Sequence, residues 1–232
     1  MKILSVVCAR AGSKGIENKC IARIGQKMVV EYSIEYSRSL GPGVKTVVST
    51  DIEDLISYCV KNGIPFVRRD KCICADNSRI EDALADAIER EGQDHDYCSL
   101  VYGNIPTRYP RIFHDAALFL NGHTDYDAAI SMQDVGKYHP EWMCDYSEDV
   151  LVATDGSRCR RQDLPPKMIH DGHTLIFKIK EFYAKCRGTV KYDASRRYSM
   201  FGNKIKPLIN EEAVIDIDTR KDMRLAEGFL AK

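Results

Sequence analysis

The chain has 232 residues, with 34 Lys and Arg balanced by 34 Asp and Glu and a formal net charge of zero. A protein that holds nucleic acid by neutralising phosphates carries a basic excess, and a charged disordered tail tilts the count, so both classes are excluded. With 44% hydrophobic and 29% charged residues, the composition is that of a globular protein, and residues 1–232 are expected to form one domain with a small appendage.

Along the chain, Ile3-Leu4-Ser5-Val6-Val7-Cys8 is a short apolar run. Arg10 and Lys14 follow before a signal-peptide core is complete, so residues 2–8 read as a first β-strand. A glycine-rich basic loop comes next. Residues 28–40 have helical length, 44–49 form a β-branched strand, 51–62 a second helix and 65–67 a short strand. In 79–92, Ala83, Leu84, Ala87 and Ile88 share one helical face, and the acidic run from Glu81 to Glu91 is its solvated side. Strand 97–102, helix 111–122 and strand 127–132 follow. The stretch 133–171 is irregular, contains the single tryptophan, Trp142, and reads as an inserted arm. Strands at 173–178 and 213–217 and a helix at 219–231 complete the pattern.

Strands alternating with helices imply an α/β fold, a doubly wound and mostly parallel sheet with helices on both faces, in which ligands bind beyond the carboxyl ends of the strands. No run approaches the roughly 20 apolar residues of a membrane-spanning helix, so a soluble cytoplasmic chain without a membrane partner is expected. The nine cysteines are scattered and read as reduced thiols; Cys72-Ile73-Cys74 has no second pair at zinc-site spacing.

The strongest local signal is Ala9-Arg10-Ala11-Gly12-Ser13-Lys14-Gly15-Ile16-Glu17-Asn18-Lys19, directly after the first strand. Gly12 and Gly15 let the backbone turn tightly and present amide groups, Ser13 adds a hydroxyl, and Arg10, Lys14 and Lys19 bring cations. These are the parts of a polyphosphate cradle. The spacing fits neither a Walker A loop nor the dinucleotide fingerprint: two residues separate the glycines, and Arg10 stands where a first glycine is needed. Near the far end, Asp216 and Asp218 lie two apart on a predicted strand and so project to one face. They either hold a hard divalent ion such as Mg²⁺ or cap the following helix.

The loop resembles the N-terminal signature of the acylneuraminate cytidylyltransferase (CMP-sialic acid synthetase) family, Arg-x-Gly-Ser-Lys-Gly-x-x-x-Lys-Asn. Three further segments resemble the family in the same order: Val48-Ser49-Thr50-Asp51; Arg160-Arg161-Gln162-Asp163-Leu164-Pro165 with Asp171-Gly172; and Ile215-Asp216-Ile217-Asp218-Thr219 with Asp222. The resemblance implies a nucleotide-diphospho-sugar transferase-like fold and an enzyme that joins CTP to a sugar acid such as sialic, legionaminic or pseudaminic acid, releasing pyrophosphate. It makes Arg10, Lys14 and Lys19 the catalytic cations and Asp216 and Asp218 the Mg²⁺ ligands. Ala9, Arg10, Gly12, Ser13, Lys14, Gly15, Ser78, Tyr102 and Asn104 become nucleotide contacts, and Arg161, Gln162, His139 and Asp171 acceptor contacts. It also implies a homodimer, with the 133–171 arm as the exchange surface.

Some residues depart from the pattern or admit a second reading. Where the family has Gln-x-Thr-Ser-Pro-x-Arg after the central strand, this chain has Tyr102-Gly103-Asn104-Ile105-Pro106-Thr107-Arg108, and Cys20 replaces the asparagine that ends the loop. The base preference therefore stays open, with Asn104 the remaining amide, and His173-Thr174 brings polarity where apolar residues are expected. Arg158, Arg160, Arg161 and Lys167 also suit an exposed basic loop, and His139 with Trp142 a packed core. The rival functions are a same-fold enzyme using another nucleotide or sugar and a non-catalytic nucleotide-binding relative.

Overall fold

The computed structural model describes residues 1–12, 15–16, 18–75, 78–148, 150–153 and 160–231. In chain order the elements are β1 (Ile3–Ala9), β2 (Arg23–Ile24), β3 (Lys27–Met28), α1 (Val29–Ser39), β4 (Val44–Thr50), α2 (Glu53–Lys61), β5 (Phe66–Arg68), α3 (Ile80–Glu91) and β6 (Tyr97–Tyr102). Then come α4 (Pro110–Gly122), β7 (Ala128–Asp134), β8 (Cys144–Ser147), β9 (Val150–Ala153), β10 (Met168–Lys178), α5 (Ile179–Cys186), β11 (Ile205–Ile209) and α6 (Arg220–Leu230).

β1 is apolar on both faces because it lies in the middle of a sheet covered on both sides, and all seven of its residues are buried. Val7 and Ala9 face Val30 and Ile34 of α1, Leu55 of α2 and Phe113 of α4. Leu4, Val6 and Cys8 face Leu84 and Ala87 of α3 and Phe182 of α5. The period-two alternation of one strand thus feeds two separate cores.

Seven strands form the sheet in the order β11-β7-β10-β6-β1-β4-β5. β10 runs against β6 and β7, while the other adjacent pairs are parallel, so the sheet is mostly parallel. From β1 the chain winds outward through β4 and β5, then returns to place β6 on the opposite side of β1. The strand order reverses there, and a crevice opens beyond the carboxyl ends of β1 and β6.

Two expectations are corrected. Residues 213–217 are extended but do not join the sheet: Ile215 N donates to Thr107 Oγ1 at 2.8 Å and Ile217 N to Asn104 O at 3.0 Å, so the backbone is satisfied by the loop after β6. The place beside β7 is taken by β11, whose Pro207 and Lys206 interrupt the apolar pattern. A proline is tolerated there because β11 is the sheet edge. Helix α5 also follows β10 without a break, where no helix is expected from the sequence.

The expected arm leaves after β7 and returns along β10. It contains the antiparallel β8–β9 hairpin, which exposes Tyr146, Val150 and Leu151. β10 carries a register shift between His170, opposite Met132, and Leu175, opposite Ile130. Asp171, Gly172, His173 and Thr174 occupy this bulge, with Gly172 at a φ of +76°. An added Cβ at Gly172 would stand 2.6 Å from Ile105 Cδ1, so glycine lets the bulge press against the loop that follows β6.

Candidate active site

A cleft of about 550 Å³ lies at the strand-order reversal. Arg10, Gly15 and Lys19 reach it from the loop after β1, Tyr102 and Asn104 from the end of β6, and Asp216 and Asp218 from the segment before α6. Seven of the predicted residues, separated by up to about 200 positions, therefore share one space. Ser13 and Lys14 lie outside the described residues.

The loop is fastened from outside. Asp51, at the end of β4, accepts Ala11 N at 2.8 Å, and Arg10 Nη1 donates to Cys74 O at 3.4 Å. Gly15 meets the opposite wall so closely that a Cβ would fall 2.2 Å from Asp218 O. Lys19 Nζ pairs with Asp218 Oδ1 at 2.5 Å, and Asn104 Nδ2 donates to Asp216 Oδ1 and, at 3.3 Å, to Ile217 O. Loss of water at the cleft wall, followed by repulsion from Asp218, holds the Asp216 carboxyl above the usual carboxylate range.

The alternative role for the two carboxylates, capping α6, is filled by other residues. Thr219 Oγ1 accepts Asp222 N at 3.3 Å, and Asp222 Oδ2 accepts Thr219 N at 2.8 Å, a reciprocal capping box. Asp216 and Asp218 are left as neighbouring oxygen donors on the cleft wall. Two carboxylates supplemented by substrate phosphates are the usual setting of Mg²⁺, so the donor chemistry fits that ion.

Arg69 is a cleft residue that sequence reasoning missed. Its side chain is buried, Nε donates to Ser49 Oγ at 2.8 Å, and Nη2 is buried without a hydrogen-bond partner among the described residues. An unsatisfied guanidinium nitrogen lining a cleft is a ready donor for a ligand oxygen. Only its place after the short β5 could have signalled it, and its neighbour Arg68 points to solvent and pairs with Glu53. Cys8 and Cys20 also line the cleft; burial raises both thiols, Cys20 to about 11, so they act as small apolar walls. Burial likewise pushes the Tyr102 phenol up to about 12.

Other predicted contacts are placed differently. Ala9 is core, packed with Val30 and Ile34. Gly12 sits exposed in the loop at a φ of +75°, and Ser78 turns away to donate to Cys72 O at 3.2 Å; neither lines the cleft. Gln162 is exposed in a single turn at 161–163, and the Arg161 side chain lies outside the described residues. His139 borders a separate cavity of about 160 Å³, and both ring nitrogens are engaged, Nε2 with Pro165 O at 3.0 Å and Nδ1 accepting from Glu141 N at 3.2 Å. It packs the base of the arm.

Asp171 is also satisfied internally. Its side chain is 2% exposed and accepts from Ser131 Oγ at 2.5 Å, Asn210 Nδ2 at 2.6 Å and His173 N at 2.8 Å. Three donors on one carboxylate lock the bulge, which explains why Asp171 does not reach the cleft. Beside it, the buried Arg108 donates to Tyr102 O, Ile105 O, Ser33 Oγ, Gly172 O and His173 O, tying the loop after β6 to the bulge. Burial lowers its pKa to about 10, still well above neutral pH. His173 accepts Tyr109 N on Nε2 at 3.0 Å and meets Thr174 Oγ1 through Nδ1 at 2.8 Å, so the imidazole is neutral with its proton on Nδ1. Burial, then the nearby Arg108, pulls its pKa down to about 4.

A mostly parallel sheet with a cationic loop and two carboxylates at its reversal point defines a nucleotidyltransferase-like fold. Its likeness to a solved CMP:2-keto-3-deoxy-manno-octonic acid synthetase, complexed with CTP, covers 100% of this chain and 99% of the other, with a TM-score of 0.75 at 14% identity. Residues 4–140 match the cytidylyltransferase family model, more than half of the sequence, and the chain belongs to that family. The N-acylneuraminate cytidylyltransferase of Streptococcus agalactiae serotype V is 28% identical over 99% of this chain and 54% of its own length. The pseudaminic acid cytidylyltransferase of Campylobacter jejuni subsp. jejuni is 26% identical over 98% of this chain and 95% of its own. The chain thus spans about half the length of the streptococcal relative and nearly all of the Campylobacter one.

Proposed function

We propose that this chain is a cytidylyltransferase that activates a nonulosonic acid, transferring CMP from CTP and releasing pyrophosphate. The observation that carries the reading is the meeting of Arg10, Lys19, Arg69, Asp216 and Asp218 in one cleft of a chain that belongs to the cytidylyltransferase family. The relatives named for N-acylneuraminate and pseudaminic acid indicate the acceptor class.

The acceptor's anomeric hydroxyl attacks the α-phosphorus of CTP in line; the new P–O bond forms as the bond to pyrophosphate breaks, and the hydroxyl proton leaves to solvent. Catalysis is then chiefly positioning and charge stabilisation. Arg10 and Lys19, with Lys14 of the same loop, bind the phosphates and take up charge on the departing pyrophosphate. Arg69 donates to an oxygen of the nucleoside. Asp216 and Asp218 would hold Mg²⁺, which when bound would supply charge neutralisation at the phosphates. Because Lys19 already pairs with Asp218, it sits at the junction of the phosphate and carboxylate halves of the site.

The chain works as a homodimer in this reading, with the apolar β8–β9 hairpin facing the partner copy. A second reading, the same transfer with another base, is favoured by Tyr102 and Cys20, which replace two polar positions of the family pattern.

Purified protein incubated with Mg²⁺, one of CTP, UTP, GTP or ATP, and sialic, legionaminic or pseudaminic acid tests both readings. Pyrophosphate release with CTP alone is the expected result. Release only with GTP or UTP would move the assignment to the second reading, and no release with any pair would leave a nucleotide-binding relative. Stabilisation by about 2.7 kcal/mol at 100 times the Kd would identify the preferred nucleotide independently of turnover.

A further inference from the structure

The two carboxylates of the cleft are held by partners of different kinds. Asp218 pairs with the ammonium of Lys19, a charge that phosphate would compete for. Asp216 accepts a neutral amide, Asn104 Nδ2, which no phosphate displaces. The contact is anchored on both sides: Asn104 O accepts Ile217 N at 3.0 Å and Asn104 Nδ2 also donates to Ile217 O at 3.3 Å. Residue 104 therefore grips residue 217 by its backbone while its side chain fixes the carboxylate one position earlier.

We propose that Asn104 is a positioning residue for the cation-holding carboxylate Asp216 and does not read the base; the inference rests on the Mg²⁺ reading given above. An amide that donates to one carboxylate oxygen fixes its rotamer and leaves the other oxygen for a cation, the arrangement by which outer partners orient metal ligands. With Nδ2 engaged twice on the 216–217 segment, a base carbonyl or ring nitrogen would have to break one of these bonds to accept from Asn104. Neither a leucine, of similar size but without a donor, nor an aspartate, which would repel Asp216, does the same work. The family pattern carries threonine at this place, so the amide is a property of this chain.

The test uses the full chain with Mn²⁺ as the probe, its free fraction read by electron paramagnetic resonance, together with CTP affinity measured without a divalent cation. Asn104→Leu is expected to weaken Mn²⁺ binding about 10- to 100-fold, the range for lost outer-shell partners. CTP affinity should change by less than about 2-fold, and in an Asp216→Asn background Asn104→Leu should add nothing to the Mn²⁺ loss, because the two act as one unit. If Asn104→Leu fails to fold, Asn104→Ala replaces it in the same cycle. Unchanged Mn²⁺ binding in the Asn104 variant, with loss in Asp216→Asn, overturns the inference and leaves the carboxylate pair standing. Lost CTP binding with Mn²⁺ binding intact also overturns it, by making Asn104 a nucleotide contact. If Asp216→Asn and Asp218→Asn both keep full Mn²⁺ affinity, the metal reading itself falls.

Discussion

The cleft beyond β1 and β6 and the bulge of β10 contain the same residue types, yet they use them in opposite ways. In the bulge, Arg108 meets five acceptors, Asp171 three donors, and both nitrogens of His173 have partners. In the cleft, Arg69 keeps a nitrogen without a partner among the described residues, and Asp216 and Asp218 stand side by side on the wall, the Asp218 side chain 66% exposed. A polar cluster whose capacity is satisfied within the protein specifies structure; one that is left incomplete waits for a ligand.

The sharpest way to break this contrast is to remove one group from each region and ask what is lost. Asp218→Ala should lower pyrophosphate release by about 10³-fold, as expected when several kcal/mol of charge stabilisation disappear. Its thermal stability should stay near that of the parent, because an ion pair with an exposed partner contributes less than about 1 kcal/mol. Equal losses of activity and stability would erase the distinction. Arg108→Ala should do the reverse: denaturant unfolding is expected to show a loss of about 3–5 kcal/mol, because several buried carbonyls lose their donor together. A fully stable Arg108→Ala would show that the bulge is not held as described.

A third prediction concerns pH. The folded protein keeps His173 neutral down to about pH 4, whereas the unfolded chain takes up the proton near 6.5. The unfolded state therefore binds more protons between these values, so stability is full above about 6.5 and declines as pH falls toward 4, by about 3 kcal/mol in total. His170, whose pKa is also lowered chiefly by burial, adds to the same slope. Denaturation midpoints across this range should flatten in His173→Gln, and an unchanged slope would reject the assignment. The smallest effect falls outside both regions. Leu151→Glu, at a 72% exposed position of β9, should leave monomer unfolding within about 0.5 kcal/mol. It should shift light-scattering mass from dimer to monomer, and a monomeric parent would remove the hairpin from that role.

Signals carried within a few consecutive residues were legible in the sequence. The buried strand β1 and the helical spacing of Ala83, Leu84, Ala87 and Ile88 stand as read, and Arg10, Gly15, Lys19, Asp216 and Asp218 meet in one cleft. What the sequence hid depends on partners far along the chain. Pro207 disguised β11 because edge position, which makes proline tolerable, is a property of the assembled sheet. Residues 213–217 look like a strand, but Thr107 and Asn104 take the hydrogen bonds that pairing would need. Asp171 reads as an acceptor contact in the sequence, but Ser131 in the middle of β7 and Asn210 just after β11 take up its carboxylate. Arg69 and Arg68 are indistinguishable as letters, and only folding turns one inward.

The close approach of Gly15 to the Asp218 carbonyl gives the site an order of assembly. The missing side chain sets the spacing between the cationic loop and the carboxylate wall, so a single methyl at residue 15 would act as a wedge between the two halves. Because those halves are written about 200 residues apart, a growing chain can shape its sheet and its loop early, yet the site has no second wall until residue 218 has been made and has docked. Competence for chemistry therefore requires the segment before α6 to dock against the loop that follows β1.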